Sequence, residues 1–96
     1  MDIPSIQAFL AVTETGSFSK AADRIFLTQP AVSKRIASLE ASLGIALFDR
    51  IGRGVQLTDA GRALQKKAHR IISEVEDVER LIRNISGNVD GQLRMA

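Results

Sequence analysis

The sequence predicts a mainly α-helical protein in which three short helices and a small β-hairpin are followed by one long helix. Three observations carry that reading. Apolar residues in the first half of the chain recur every three to four positions, in runs that glycines bring to a stop. Two short apolar-rich runs, Ile45-Ala46-Leu47-Phe48 and Val55-Gln56-Leu57, flank a stretch containing Gly52 and Gly54. From Leu64 onward the apolar positions are spaced alternately by four and three, the rhythm of a helix that pairs with another helix. A chain of 96 residues can bury one modest core, since a domain of this size hides only about 60 to 65% of its unfolded surface.

The first helix is expected from Pro4 to Thr15, with Pro4 tolerated in its opening turn and Ile6, Phe9, Leu10 and Thr13 at helical spacing; Gly16 ends it. Ser17 or Ser19 can cap a short second helix whose inner face is Phe18, Ala21, Ala22 and Ile25. Its paired alanines admit a close neighbour. Thr28 is a natural N-cap for the third helix, and Pro30 falls in the first turn, where its missing N–H leaves no intrahelical bond unmade. That helix runs to about Ser42 on a core stripe of Val32, Ile36, Leu39 and Leu43, and Gly44 stops it. The two apolar-rich runs around Gly52 and Gly54 read as a hairpin. Thr58 or Asp59 then caps the long helix, whose seam is Leu64, Ala68, Ile71, Val75, Val78, Ile82 and Ile85. Gly87 and Asn88 are expected to end it, which leaves Val89 at the margin of the pattern.

Composition narrows the function. With 45% hydrophobic and 25% charged residues the chain is ordinary for a globular protein, which excludes disordered and low-complexity classes. It has no cysteine, so disulfides and cysteine zinc sites are excluded. No apolar run approaches the roughly 18 residues of a membrane span, and Met1-Asp2-Ile3-Pro4 lacks the basic start of a secretory signal, so the chain reads as soluble and cytoplasmic. The net charge of +2 conceals an uneven distribution. From Arg50 to Arg70 stand six bases and the single acid Asp59, whereas Glu74 to Glu79 holds four acids and no base. An anionic partner is expected against the first block and not the second.

Catalysis finds little material. His69 is the only histidine, no serine is placed with a base, and Gly52-Arg53-Gly54 lacks the lysine and hydroxyl of a phosphate loop. No enzyme, metal site or cofactor is expected. Nucleic-acid binding has a better physical case. Two helices joined by the tight connection Ile25 to Thr28 form a helix-turn-helix, whose second helix can enter the major groove by its N-terminal end. Removing the core stripe leaves Gln29, Pro30, Ser33, Lys34 and Ala37 facing outward. Gln29 can pair with an adenine edge, Pro30 and Ala31 can touch a thymine methyl, and Ser33 can serve a base or a phosphate. Lys34 and Arg35 can hold phosphates, as can free N–H groups at the helix start. Each has a plainer alternative: Thr28 is a cap, Pro30 is helix-start chemistry, and Arg35 is solvated surface. Arg53 is free to reach DNA, whereas Arg50 reaches DNA or pairs with Glu40.

The residues Ser17-Phe18-Ser19, Ala21-Ala22, Leu27-Thr28-Gln29-Pro30-Ala31-Val32-Ser33, Ile36, Leu39-Glu40, Leu43-Gly44, Leu47-Phe48, Arg50, Arg53, Leu57-Thr58 and Ala60-Gly61 resemble, in order and spacing from about Ile3 to Gly61, the N-terminal DNA-binding domain of the LysR-type transcriptional regulators. The resemblance implies a winged helix-turn-helix over residues 1–58 and a linker helix over 59–87 through which two subunits pair. It also implies a hinge at 88–96 that leads into an effector-binding domain absent from this chain, which is then a fragment or a truncated member. The family's recognition positions correspond to Gln29, Pro30, Ser33 and Lys34 in the third helix and to Arg53 in the wing. Lysine at 34 departs from the commoner arginine and gives up bidentate geometry.

The expected function is therefore that of a sequence-specific double-stranded DNA-binding transcriptional regulator, acting as a homodimer on an imperfect inverted repeat. A longer chain can assemble further to a tetramer and answer a small-molecule effector. The rival reading is a coiled-coil protein-interaction module without DNA specificity. An RNA-binding role ranks lower, because four phenylalanines, three of them helix-packed, make no stacking platform.

Overall fold

Asp2 opens the first helix, α1 (Ile3–Thr15), by accepting the Ser5 N–H at 2.9 Å. Hydrogen bonding from Ser5, with smaller help from the N-terminal ammonium and Arg35, holds the Asp2 carboxyl below the usual carboxylate range. Gly16 closes α1 in the left-handed region, at φ 72°. Ser17, rather than Ser19, caps α2 (Phe18–Arg24). Thr28 caps α3 (Gln29–Leu43), and Gly44, again left-handed, ends it. An antiparallel hairpin of β1 (Phe48–Ile51) and β2 (Gly54–Leu57) follows, and then α4 (Asp59–Asn88). This computed structural model describes residues 1–52 and 54–88. Arg53, Val89 and the rest of the expected hinge lie outside the described residues.

Helices α1, α2 and α3 pack on one another around Phe9, Val12, Val32 and Leu39, all fully buried. The spacing undercounts α1, because Ala8, Ala11 and Val12 are buried alongside Ile6, Phe9 and Leu10. Helices lie against it on more than one side: α2, α3 and α4 all touch α1. Phe48 ties the hairpin into this core, its ring 5.3 Å from Phe9 and edge-on to Phe18 at 6.1 Å. Across the surface, Glu14 of α1 holds Arg24 of α2 at 2.6 Å and faces His69 of α4 at 3.6 Å. The partners are half-exposed, so these contacts orient the helices more than they stabilise them.

Three expectations change. Leu43, expected on the core stripe of α3, is exposed, as is Ile45. The first strand begins at Phe48 instead of Ile45, and at its start the N–H groups of Leu47 and Phe48 go to the Glu40 carboxylate. Leu47 is buried in the core all the same, and its carbonyl accepts the Thr58 N–H just past β2 at 3.0 Å. The long seam is also divided. Ala68 is fully buried within its own chain, and Leu64 and Ile71 pack against the same core. Ala68 therefore has no surface to offer a partner. Only Val78, Ile82 and Ile85, joined by Leu81, stand open on the outer half of α4, with Val75 half-buried between the two regions.

Candidate nucleic-acid interface

The turn between α2 and α3 is built without glycine. Phe26 takes the left-handed conformation at φ 59°, and the Leu27 N–H reaches back to the Ala22 carbonyl at 3.0 Å, closing α2 in the manner of a Schellman cap. This conformation is unfavourable for a residue with a side chain. It aims the chain so that Thr28 can begin α3 at once, its hydroxyl accepting the Ala31 N–H at 3.2 Å. Thr28 is thus a cap. Pro30 has no N–H and that of Ala31 goes to Thr28, so few free donors remain at the helix start for an anion.

On α3, Gln29, Pro30, Lys34 and Ala37 are exposed, while Ala31 and Ser33 are half-buried. Gln29 and Ser33, one turn apart on α3, lie on the same flank, and Gln29 lines a cleft shared with Arg50. Arg35 follows Ser33 by two residues, about 200° around the helix. It lines the opposite groove with Pro4 and Phe26, and its charge acts on Asp2. The structure therefore brings Gln29, Pro30, Ser33 and Lys34 onto one surface with Arg50 beside it, and sets Arg35 apart.

Arg50 makes no pair with Glu40. Its guanidinium lies over the Phe18 ring, 4.4 Å from the centroid. Glu40 instead accepts the Leu47 N–H at 2.7 Å and the Phe48 N–H at 3.3 Å. An acid in the last turn of a helix works against the helix dipole; here it anchors the base of the wing to α3. A two-stranded hairpin is marginal alone, so this anchor matters. Glu40→Ala is expected to lower stability by about 2 kcal/mol, since two partly buried N–H groups lose a charged acceptor, with Glu40→Gln recovering part of it. Urea unfolding at fixed protein concentration checks this; a midpoint unchanged in Glu40→Ala would show that water serves those donors equally well.

No group of three or more metal-ligating side chains occurs among the described residues, and none of their helices is long and apolar enough to cross a membrane.

A capped helix led by polar and small side chains, joined by a tight turn to the helix before it and flanked by a hairpin bearing arginine, defines a winged helix-turn-helix protein. A family model described as a bacterial regulatory helix-turn-helix protein of the lysR family matches residues 3–62, and the chain belongs to that family. A regulator in an ibpB-leuC intergenic region of Azotobacter vinelandii is 58% identical over the whole chain, which covers 67% of that protein. The transcriptional activator CmpR of Synechocystis is 39% identical over 94% of the chain, which spans only 30% of CmpR. Among solved structures, a BenM_DBD/catB site 1 DNA complex aligns at TM-score 0.85 with 35% identity, over 90% of this chain and 97% of that one. A CbnR_DBD-DNA complex aligns at TM-score 0.83 with 34% identity, over 90% and 99%.

Proposed function

We propose that the chain is the DNA-binding part of a transcriptional regulator, working on the chromosome in the bacterial cytoplasm. The observation that carries this is the single outward surface of Gln29, Pro30 and Lys34, with Ser33 half-buried among them, at the leading end of α3. Short side chains at 33 and 37 let that helix lie deep in the major groove, and the wing then meets the flanking backbone or minor groove. The solved relatives named as DNA complexes support DNA as the partner.

Pairing of two copies through the outer half of α4 accompanies this function. The exposed stripe of Val78, Leu81, Ile82 and Ile85 covers a broader face than a strict heptad seam. Two recognition helices related by a two-fold axis suit an imperfect inverted repeat.

Selection of bound duplexes from random DNA tests the reading. The expected outcome is a two-fold symmetric consensus, bound with an affinity that falls steeply as salt rises. Salt-insensitive retention without a consensus would favour the coiled-coil interaction module. Within the consensus, Gln29→Ala and Ser33→Ala are each expected to cost roughly 1 to 3 kcal/mol of discrimination at one base position. Competition binding with mismatched duplexes checks this, and unchanged base preference in both variants would remove α3 as the reader.

A further inference from the structure

We infer that Arg50 and the Phe18 ring beneath it form a preset seat for one backbone phosphate, in the cleft between the wing and α3. The inference rests on the DNA-binding reading above and adds to it a contact that positions the reading helix. The cleft is small, about 210 Å³, below the usual size of a pocket that encloses a whole ligand. It suits one anionic group on the edge of a larger molecule. Ser19, Gln29, Gly52 and Gly54 line it with Arg50 and Phe18. Arg50 is the one charged group on its walls among the described residues.

The arginine is also uncommitted. Arg24, Arg62 and Arg80 each hold a carboxylate, whereas no described acid holds Arg50. Asp49, its neighbour in β1, pairs across the hairpin with Gln56 and projects to the other face of the ribbon. Contact with a ring face holds a guanidinium in place without using its N–H donors. The fork therefore remains free to grip a phosphate with two charge-assisted hydrogen bonds. The platform is firm, since Phe18 is buried and braced edge-on by Phe48, which in turn meets Phe9. Phe18 is thus a positioning residue: it sets Arg50 for the phosphate, a contact that does not depend on base sequence.

Fluorescence-anisotropy titration across a salt series, on the selected duplex and on a random one, tests this. Arg50→Ala is expected to lose about 10-fold in affinity on both duplexes alike. Its log–log salt slope should be shallower by about 0.9 for each protomer bound. Arg50→Lys should restore the slope and only part of the affinity. Phe18→Leu, which keeps an apolar core residue, should weaken binding about threefold in the wild-type background and not at all beside Arg50→Ala. An unchanged slope in Arg50→Ala, a loss confined to the selected duplex, or an equal Phe18→Leu loss with and without Arg50 would each overturn the inference. If Phe18→Leu does not fold, the two Arg50 variants decide alone. Failure of the wild type to bind either duplex strikes the DNA-binding reading, whereas a bound wild type with an indifferent Arg50 strikes this seat only.

Discussion

Val78→Glu is expected to lower affinity for a duplex carrying two inverted half-sites by about 100-fold while leaving the folded domain intact. Val78 is 56% exposed in the single chain, so glutamate there meets water and disturbs no packing. In a pair joined through the outer half of α4, the same carboxylate and its symmetric mate would be buried without partners. Loss of the pair removes the intramolecular second contact, and linkage of two modules commonly multiplies affinity by 10² to 10⁴. Binding to a single half-site should be unaffected. Sedimentation and titration on one-site and two-site duplexes check both halves of the expectation. An undiminished dimer would place the subunit contact elsewhere.

The division of the seam makes Ile71→Glu a different experiment. Ile71 packs against the core of its own chain, so that charge is expected to unfold the domain, with loss of single-site binding as well. Periodicity alone treats the two positions alike, because a four-and-three rhythm reports which face of a helix is apolar and not what covers it. Coverage depends on where the α1–α3 body ends against α4, and that is a matter of tertiary shape. Ala68, fully buried, and Val78, open, share one stripe for that reason.

The same distinction explains what else was legible. Thr28, Gly16 and Gly44 bound their helices as expected, since a cap acts within a few residues of itself. The outward surface of Gln29, Pro30, Ser33 and Lys34 follows from subtracting Val32, Ile36 and Leu39, which are indeed buried. The partners of Glu40 and Arg50 were not legible. Glu40 bonds Leu47 and Phe48 across the end of a helix, and Arg50 meets Phe18 from a different element. Charge suggested joining Glu40 to Arg50, but backbone donors at the base of the wing claim the carboxylate first. Arg35, at the edge of the outward arc of α3, lies instead on the side toward α1, near Pro4 and Asp2.

Gly61→Ala is expected to destabilise the protein by about 3 kcal/mol, the upper part of the usual range for overpacking. Helix propensity alone predicts the opposite sign, since alanine is better than glycine inside a helix by about 1 kcal/mol. The decision lies in the contact. A Cβ at Gly61 would press into the Leu47 carbonyl oxygen and come within 2.8 Å of Leu57 Cδ2. Leu57 is a side chain that can swing aside, but Leu47 cannot retreat freely. Its carbonyl accepts the Thr58 N–H at 3.0 Å and its own N–H is held by Glu40, so backbone movement there breaks the joint between wing, α3 and α4. Gly87, in the same helix with nothing within 4 Å of an added Cβ, supplies the contrast: Gly87→Ala should gain up to about 1 kcal/mol. Thermal unfolding at one protein concentration separates the two, with a fall of roughly 10 to 20 °C expected for Gly61→Ala. A rise in both variants would mean that the start of α4 can move away from Leu47 without loosening the wing.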